Sequence, residues 1–302
     1  MAPPTTERRK PGILPYLVLA LAPLCWAGNI VLARGVAELI PPAAFAFWRW
    51  SLAALMVVLF ARRHLAADRG ALARGWKPLL VLAVLGISSF NALLYTAVHT
   101  TTAINGALIQ TSMPAVIAVL TLLLYRERLA ARQMAGTALC IAGAGLVVLR
   151  GELRTVATLG VATGDLLMVA AVICYGLYSA LLRRRPAVHP LSFLAATFAL
   201  GAAGLLPAYL VELAFVGGFA LTGPVALSIL FVALFPSIVA YFCWNRGVDR
   251  VGPTRAGLFI NLIPVFASLM STGLLGESVQ GFHLAGMALI AGGMALFYLT
   301  RS

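Results

Sequence analysis

The stretch CWAGNIVLAR, residues 25–34, returns in altered form as CYGLYSALLR, residues 174–183, at an offset of 149 positions. Pro41 and Pro190 are related by the same offset. At an offset of 150 positions, a second set of residues finds counterparts: Pro114, Glu127, Gly136 and Gly143 correspond to Pro264, Glu277, Gly286 and Gly293. Matches in the same order at a nearly fixed offset indicate that the chain contains an internal duplication.

The composition is that of a membrane protein. Hydrophobic residues make up 62% of the 302 residues, charged residues make up 10%, and the mean hydropathy is +0.98. A soluble domain needs a far more polar surface, so we expect a chain embedded in a lipid bilayer. The net charge of +13 would suggest nucleic acid as the partner of a soluble chain. Here the basic residues stand in short runs between apolar stretches, which is typical of topology signals, and no nucleic-acid partner is expected.

The cysteines give no sign of a metal or redox site. Cys25, Cys140, Cys174 and Cys243 all lie in apolar stretches without metal-ligand spacing. We interpret them as free thiols that pack like small apolar residues. No catalytic residue, metal or cofactor is predicted.

Ten apolar stretches are long enough to cross a hydrocarbon core, which requires about 20 residues per helix. They are predicted at residues 13–33, 42–61, 78–98, 104–124, 132–150, 161–182, 191–213, 223–245, 256–275 and 282–300. The fold class is therefore an all-α membrane protein of ten transmembrane helices. Its parts are a cytoplasmic tail (1–12), a first five-helix repeat (13–150), a linker (151–160) and a second five-helix repeat (161–302).

The basic residues predict the orientation. If the N-terminus is cytoplasmic, 18 of the 22 basic residues lie on the cytoplasmic side, and only Arg34, Arg150 and Arg154 lie outside. This distribution favours two cytoplasmic termini. Because each copy has five spans, the two copies must enter the membrane from opposite sides. Such inverted repeats are typical of secondary transporters.

Polar and aromatic side chains are concentrated in repeat-related helices. Asn91, Tyr95 and His99 follow one another at i, i+4 and i+8, which places them on one face of the third helix. The full candidate set for substrate binding is Trp26, Asn29, Asn91, Tyr95, His99, Gln110, Tyr175, Tyr178, Tyr241, Trp244, Asn245 and Asn261. These residues either cross-link helices by hydrogen bonds or line a shared cavity. We favour the cavity, because Tyr and Trp suit a solute with an apolar group.

Arg49 is the one basic residue predicted well inside a span, about 12 Å along the helix from Pro41. It is either an anchor for a substrate carboxylate or a structural residue that ties neighbouring helices together. The second interpretation is favoured because the repeat counterpart of Arg49 is the apolar Phe198. The acidic residues Glu127, Asp165, Glu212 and Glu277 are all predicted near span ends.

Prolines and glycines also recur in pairs. Pro114 and Pro264 interrupt the fourth and ninth helices at equivalent positions, as hinges or helix breaks, and such paired breaks indicate the binding region of a transporter. Gly136 and Gly143 of the fifth helix correspond to Gly286 and Gly293 of the tenth. Glycines seven residues apart lie on one face and permit close helix packing, so we expect these helices to join the two repeats. The rival interpretation is a homodimer surface.

The motifs resemble a known family. Residues 25–29, the segment around Arg49, residues 105–128, and the second-copy stretches 264–277 and 286–293 resemble the drug/metabolite transporter superfamily, specifically its ten-helix EamA type. Among its members, the chain is most similar to YddG-type exporters of aromatic amino acids. The resemblance implies a cavity surrounded by helices 1, 3, 4, 6, 8 and 9. It also implies a monomer in the bacterial inner membrane.

The resulting hypothesis is an exporter of amino acids, aromatic or otherwise apolar, and of related metabolites, working by alternating access. Facilitated transport is favoured over coupling through a carboxylate, because no acidic residue is expected at the midplane. A proton-coupled drug or dye efflux carrier is the alternative among transporters. An intramembrane enzyme is the alternative from another class, and the lack of H-E-x-x-H or paired mid-membrane aspartates speaks against it.

Overall fold

The computed structural model describes residues 13–126, 130–148, 162–251 and 258–298, and these ranges contain helices and no strand. The first repeat contains α1 (Ile13–Gly35), α2 (Pro42–Arg74), α3 (Trp76–Ala97), α4 (Ala103–Tyr125) and α5 (Ala131–Val148). The second repeat contains α6 (Thr163–Leu181), α7 (Pro190–Phe215), α8 (Gly223–Val232, Ala233–Val239 and Ala240–Val251), α9 (Leu258–Asn261 and Leu262–Leu275) and α10 (Gly281–Tyr298). The predicted tail, Glu127 and the linker lie outside the described residues.

The helices are those of a membrane protein. Seven of them, α1 to α4 and α6 to α8, are long and apolar enough to cross a bilayer, and the apolar parts of α9 and α10 are shorter. The all-α membrane fold predicted from the sequence is therefore confirmed.

Helix α2 is much longer than the sequence predicts. It continues past the expected end at residue 61 to Arg74, and Gly75 alone separates it from α3. The extension is rich in Ala, Leu and Arg, which are strong helix formers, so the chain stays helical beyond its apolar part. A Cβ atom at Gly75 would lie 2.8 Å from Cβ of Pro186, so this tight link requires glycine.

The two repeats interlock. Helix α1 of the first repeat packs on α8 and α9 of the second, while α6 of the second packs on α3 and α4 of the first. The most extensive contacts join two further repeat-related pairs, α5 with α10 and α2 with α7. The two copies consequently share one core.

Glycines bring α5 and α10 together. A Cβ atom at Gly136 would lie 2.5 Å from the carbonyl oxygen of Gly293, and one at Gly143 would lie 2.8 Å from that of Gly286. No side chain fits in such a space, so the four glycines predicted to join the repeats lie in direct contact.

Helices α3 and α8 each contain a wide turn at the same point of the repeat. The π-helical segments are Val84–Ser89 and Ala233–Val239, which begin 149 positions apart. Within the second segment, Pro236 has no backbone N–H to donate, and Ser237 Oγ donates to the carbonyl of Val232 at 2.9 Å. Such π-helical segments are frequent at functional sites, because they re-aim side chains in the middle of a helix.

Candidate functional site

The centre of the site is the guanidinium group of Arg49. Its residue is only 4% exposed, yet all the hydrogen-bond acceptors it meets among the described residues are neutral. Nη1 donates to Asn29 Oδ1 at 3.0 Å, to Asn91 Oδ1 at 3.2 Å and to the Tyr95 hydroxyl at 2.5 Å. Nε donates to Ser237 Oγ at 2.9 Å. Arg49 of α2 therefore ties together α1, α3 and α8, and so joins both repeats.

The partners of Arg49 are themselves held in place. Asn91 and Tyr95 are one helical turn apart on α3 and present the same face, as their spacing predicts. The amide nitrogen of Asn91 donates to the carbonyl of Ile87 at 2.8 Å, inside the π-helical segment. The Tyr95 hydroxyl donates to Asn29 Oδ1 at 2.8 Å. Each oxygen that faces Arg49 is thereby fixed in orientation.

Ser237 was not predicted from the sequence as a site residue. Its position in the π-helical segment of α8 directs Oγ toward Arg49 while its hydroxyl hydrogen satisfies the backbone. Its repeat counterpart, Ser88, lies in the π-helical segment of α3 and donates to the carbonyl of Gly201 at 2.9 Å. The sequence signal that could have identified Ser237 is this recurrence of a serine at the offset of 149 positions.

Aromatic rings pack beside the guanidinium group. Cζ of Arg49 lies 4.8 Å from the ring centroid of Trp50, within the range of a cation–π interaction. The Trp50 ring meets Phe198, the repeat counterpart of Arg49, edge to face at 4.7 Å. Phe198 in turn meets Tyr241 at 5.7 Å. An aromatic wall therefore extends from Arg49 to α8.

The other end of this wall is Trp26 of α1. Its ring centroid is 5.3 Å from that of Trp244 and 6.4 Å from that of Tyr241. Trp26 Nε1 donates to the carbonyl of Pro236 at 3.2 Å, where the π-helical segment turns. The predicted residues Trp26, Tyr241 and Trp244 are thus brought together.

Tyr175 and Tyr178 of α6 form a neighbouring aromatic group. Their centroids are 5.2 Å apart, and Tyr175 also meets Phe90 at 5.0 Å. Tyr178 packs on Gly86, where a Cβ atom would lie 2.5 Å from its ring, so glycine is required in the π-helical segment of α3. This group lies on the α3 side of the site.

His99 lies apart from the central group. It borders a cavity of about 480 Å³ at the outer end, meaning the end predicted to face away from the cytoplasm, together with Glu38 and Glu212. Nη1 of Arg34 donates to the His99 carbonyl at 3.1 Å. Burial lowers the pKa of His99 and nearby Arg34 lowers it further, while Glu212 opposes them. The imidazole is therefore neutral at physiological pH.

Turns lie shortly before both of the paired prolines. In α4 the turn at Thr111 and Ser112 separates two helical segments, and Pro114 is in the first turn of the second. In α9 a 3-10 turn, Leu258–Asn261, directly precedes the segment that contains Pro264. Gln110, beside the α4 break, is 7% exposed, and its Nε2 has no hydrogen-bond partner among the described residues. The side chains of Asn245 and Asn261 lie outside the described part of the chain.

Carboxylates hold helix ends at the outer end. Both oxygens of Glu212 accept from backbone N–H groups at the start of α2, from Ala43 at 3.0 Å and Ala44 at 2.7 Å. Glu277 does the same at the start of α4, with Ala103 at 3.0 Å and Ile104 at 3.2 Å. A carboxylate at a helix N-terminus satisfies free donors and complements the helix dipole.

Asp165 belongs to a buried polar group at the same end. It is 0% exposed and accepts hydrogen bonds from the Thr101 hydroxyl and from Asn105 Nδ2, the latter at 3.2 Å. Asn105 Oδ1 lies 2.8 Å from Nε2 of His283 on α10. Sequence reasoning placed Asp165 near a span end but gave no sign of these partners, which lie on other helices.

Comparison with known proteins agrees with the duplicated helical fold. The family model described as the EamA-like transporter family matches residues 13–149 and again residues 162–299. The uncharacterized transporter YyaM of Bacillus subtilis is 28% identical over 285 residues, which cover 91% of this chain and 90% of that protein. A probable amino-acid metabolite efflux pump of Salmonella typhimurium is 28% identical over 316 residues, covering 95% and 94%.

The fold also has a counterpart among solved structures. A protein described only as "Crystal structure of protein" aligns with a TM-score of 0.63 at 20% identity, covering 94% of this chain and 96% of that one. At this identity, the likeness concerns the fold alone.

Proposed function

Since this chain belongs to the EamA-like transporter family, we propose that it exports amino acids, aromatic or otherwise apolar, and related metabolites across the bacterial inner membrane. The observation that supports this proposal is the buried Arg49, which has neutral hydrogen-bond partners and aromatic neighbours. A guanidinium group offers paired donors to a carboxylate, and the rings offer apolar contact to a side chain. The similarity to a probable amino-acid metabolite efflux pump supports the same class of substrate.

The mechanism is alternating access. At 4% exposure, Arg49 is closed to both ends of the bundle, so a solute reaches it only after helices move. The π-helical segments of α3 and α8 and the turns before Pro114 and Pro264 are the points where the spanning helices bend most easily. Rocking of one repeat against the other at these points would open the site to each side in turn, with both termini in the cytoplasm.

Transport is facilitated and needs no proton. The described acidic side chains that lie nearest the helix ends, such as Glu212 and Glu277, are already bound to backbone N–H groups. None of the described carboxylates contacts Arg49. The substrate gradient itself is then the driving force, as befits an exporter of metabolites that accumulate in the cytoplasm.

The test is uptake of radiolabelled phenylalanine, tryptophan, alanine and threonine into liposomes that hold the purified protein, without an imposed ion gradient. We expect saturable uptake of the aromatic substrates, which continues when the pH gradient is collapsed with an ionophore. Uptake that appears only with an imposed proton gradient would favour the proton-coupled alternative. No uptake under either condition would contradict amino-acid transport.

Two substitutions locate the site. Tyr95→Ala removes a direct partner of Arg49, and Trp244→Ala removes a ring from the aromatic wall. Each is expected to reduce uptake about tenfold or more while membrane insertion is retained. Normal uptake by both variants would show that the substrate binds elsewhere.

A further inference from the structure

We propose that the Arg49 site selects its substrates by net charge, and that it prefers aromatic or apolar monocarboxylates without a free amino group. In this order, the zwitterionic amino acid binds less tightly than the monoanion, and the corresponding amine binds least. The inference rests on the proposed function and specifies its substrate class.

The first observation is the uneven use of the guanidinium donors. Nη1, which carries two hydrogens, faces three acceptors, and Nε faces one. Nη2 donates to no residue that the structure describes. Its two N–H groups are therefore available, and a carboxylate oxygen is the acceptor that such a group binds most strongly.

The second observation is that the unpaired group beside Arg49 is a donor. Trp50 is 1% exposed, and its Nε1 has no acceptor among the described residues, although the guanidinium lies over its ring. Buried polar groups normally find partners. A ligand that only accepts hydrogen bonds, such as a carboxylate, complements unpaired donors, whereas an ammonium group does not.

The third observation is where the negative charges are. Glu212 and Glu277 bind helix N-termini at the outer end, and Asp165 is held there by Thr101 and Asn105. At the opposite end, Asp68 accepts from the backbone N–H of His189 at 2.9 Å. Among the described residues, Arg49 therefore brings a positive charge into the core without a carboxylate to balance it.

The consequence is a site that discriminates between charges. A monoanion neutralises the guanidinium group, a zwitterion adds an ammonium group that meets no described carboxylate, and an amine adds a second positive charge. An isolated charge in the interior is costly, so the monoanion gains most. The aromatic wall still offers cation–π contact to an amine, which makes its binding weak instead of absent.

The duplication does not double this site. Phe198 stands where the second repeat would have its own arginine, and it packs on Trp50 at 4.7 Å. The first repeat therefore contributes a charged group at this position, and the second contributes an apolar ring. A ligand with one carboxylate and one apolar side group complements both.

The experiment uses three ligands of one shape: 3-phenylpropionate, L-phenylalanine and phenethylamine. They share a phenyl ring and a short carbon chain and differ in their charged groups at neutral pH. Binding to the purified full-length protein is measured by thermal stabilisation against ligand concentration, because a ligand that binds the folded state raises Tm. We expect 3-phenylpropionate to half-saturate the protein at a concentration at least about tenfold below that of phenethylamine, with phenylalanine between them. Equal concentrations, or the reverse order, would overturn the proposal.

Variants of Arg49 then test whether this residue determines the order of affinity among the three ligands. In Arg49→Gln, 3-phenylpropionate should lose about tenfold or more in affinity, while phenethylamine should not weaken. Arg34→Gln is the matched control, since Arg34 is also an arginine of the first repeat but binds the carbonyls of Val98 and His99 at the outer end. An unchanged order in Arg49→Gln would overturn the assignment. If Arg49→Gln does not fold, Arg49→Lys retains the charge and should retain the order, and loss of the order there would count against the proposal.

Flux separates this inference from the proposed function. If the binding order holds but liposomes transport none of the three compounds, charge selection stands and export fails. If all three are transported with similar half-saturation, export stands and charge selection fails.

Discussion

At the residue scale, Arg49 shows how far a sequence identifies a site. Its place within an apolar span marks it as unusual, and the sequence favoured a structural role that ties helices together over an anchor for a carboxylate. The structure gives it four side-chain partners on three helices, among them Ser237, which nothing near it in sequence indicates. The flanking tryptophans also differ, since Trp48 is 42% exposed and Trp50 only 1%. Residues far apart in sequence decide these environments, so local patterns could not predict them.

Tyr95→Phe tests the network by removal of one hydroxyl. The change deprives Asn29 of a donor and Arg49 of an acceptor, so we expect the free energy of unfolding to fall by about 1–2 kcal/mol. Thermal unfolding of the purified protein measures the effect. Tyr209→Phe is the control, because Tyr209 stacks on Phe47 at 4.9 Å, away from Arg49. Equal losses in both variants would mean that the network adds nothing.

His99→Gln tests whether this histidine senses pH. Burial lowers the pKa of His99 from its ordinary value of about 6.5, so protonation occurs only at more acid pH. The ring therefore stays mostly neutral from about pH 7 to 8, and the variant should show the same pH profile of uptake there. A profile whose midpoint moves within this range would identify His99 as a titrating group in transport.

At the element scale, residues that recur at the repeat offset were more informative about helix geometry than the type of any single residue. Turns precede the paired prolines in α4 and at the start of the described part of α9, and the paired glycines lie on the faces of α5 and α10 that approach closely. The π-helical segments of α3 and α8 escaped prediction, because only Pro236 marks one of them. The long α2 escaped it as well, since span prediction follows hydropathy and the extension to Arg74 is polar.

Alanine at the interface glycines tests the packing of α5 on α10. Alanine normally stabilises a helix relative to glycine by about 1 kcal/mol. At Gly143 its Cβ would meet the carbonyl oxygen of Gly286 at 2.8 Å, so Gly143→Ala should instead lower stability by about 1–3 kcal/mol. The matched controls are Gly145→Ala and Gly292→Ala, where no heavy atom lies within 4 Å. Folded yield and Tm would measure the difference, and equal behaviour of all three variants would refute tight packing.

At the scale of the whole molecule, the sequence predicted the architecture well and the site partly. Composition and the repeat were enough for an all-helical membrane protein, because both are properties of the entire chain. Three members of the aromatic wall, Trp26, Tyr241 and Trp244, belonged to the predicted set, whereas Trp50 and Phe198 did not. The sequence did not predict that His99 lies apart from Arg49 and the aromatic wall. Only the tertiary fold shows that the turn after α3 leads away from Arg49.

A carrier with one closed site should exchange substrate faster than it accumulates it. When the carrier reorients without substrate, the charge of Arg49 has no ligand to bind, so this step is slow. We therefore expect liposomes loaded with unlabelled substrate to take up labelled substrate faster, by about two- to tenfold. The control is loading with a sugar at equal osmolarity. Uptake that rises linearly with concentration and ignores the internal substrate would indicate a channel.

The glycine contact between α5 and α10 also has a consequence for how the chain is made. The ribosome completes α5 at Val148, and α10 begins only at Gly281. At about 5–20 residues per second, the glycine face of α5 waits roughly 7–27 s for its partner. During that time it is open to the wrong neighbour, including the α5 of another nascent chain. A slow stretch of translation before Gly281 would therefore lower the yield of correctly assembled protein.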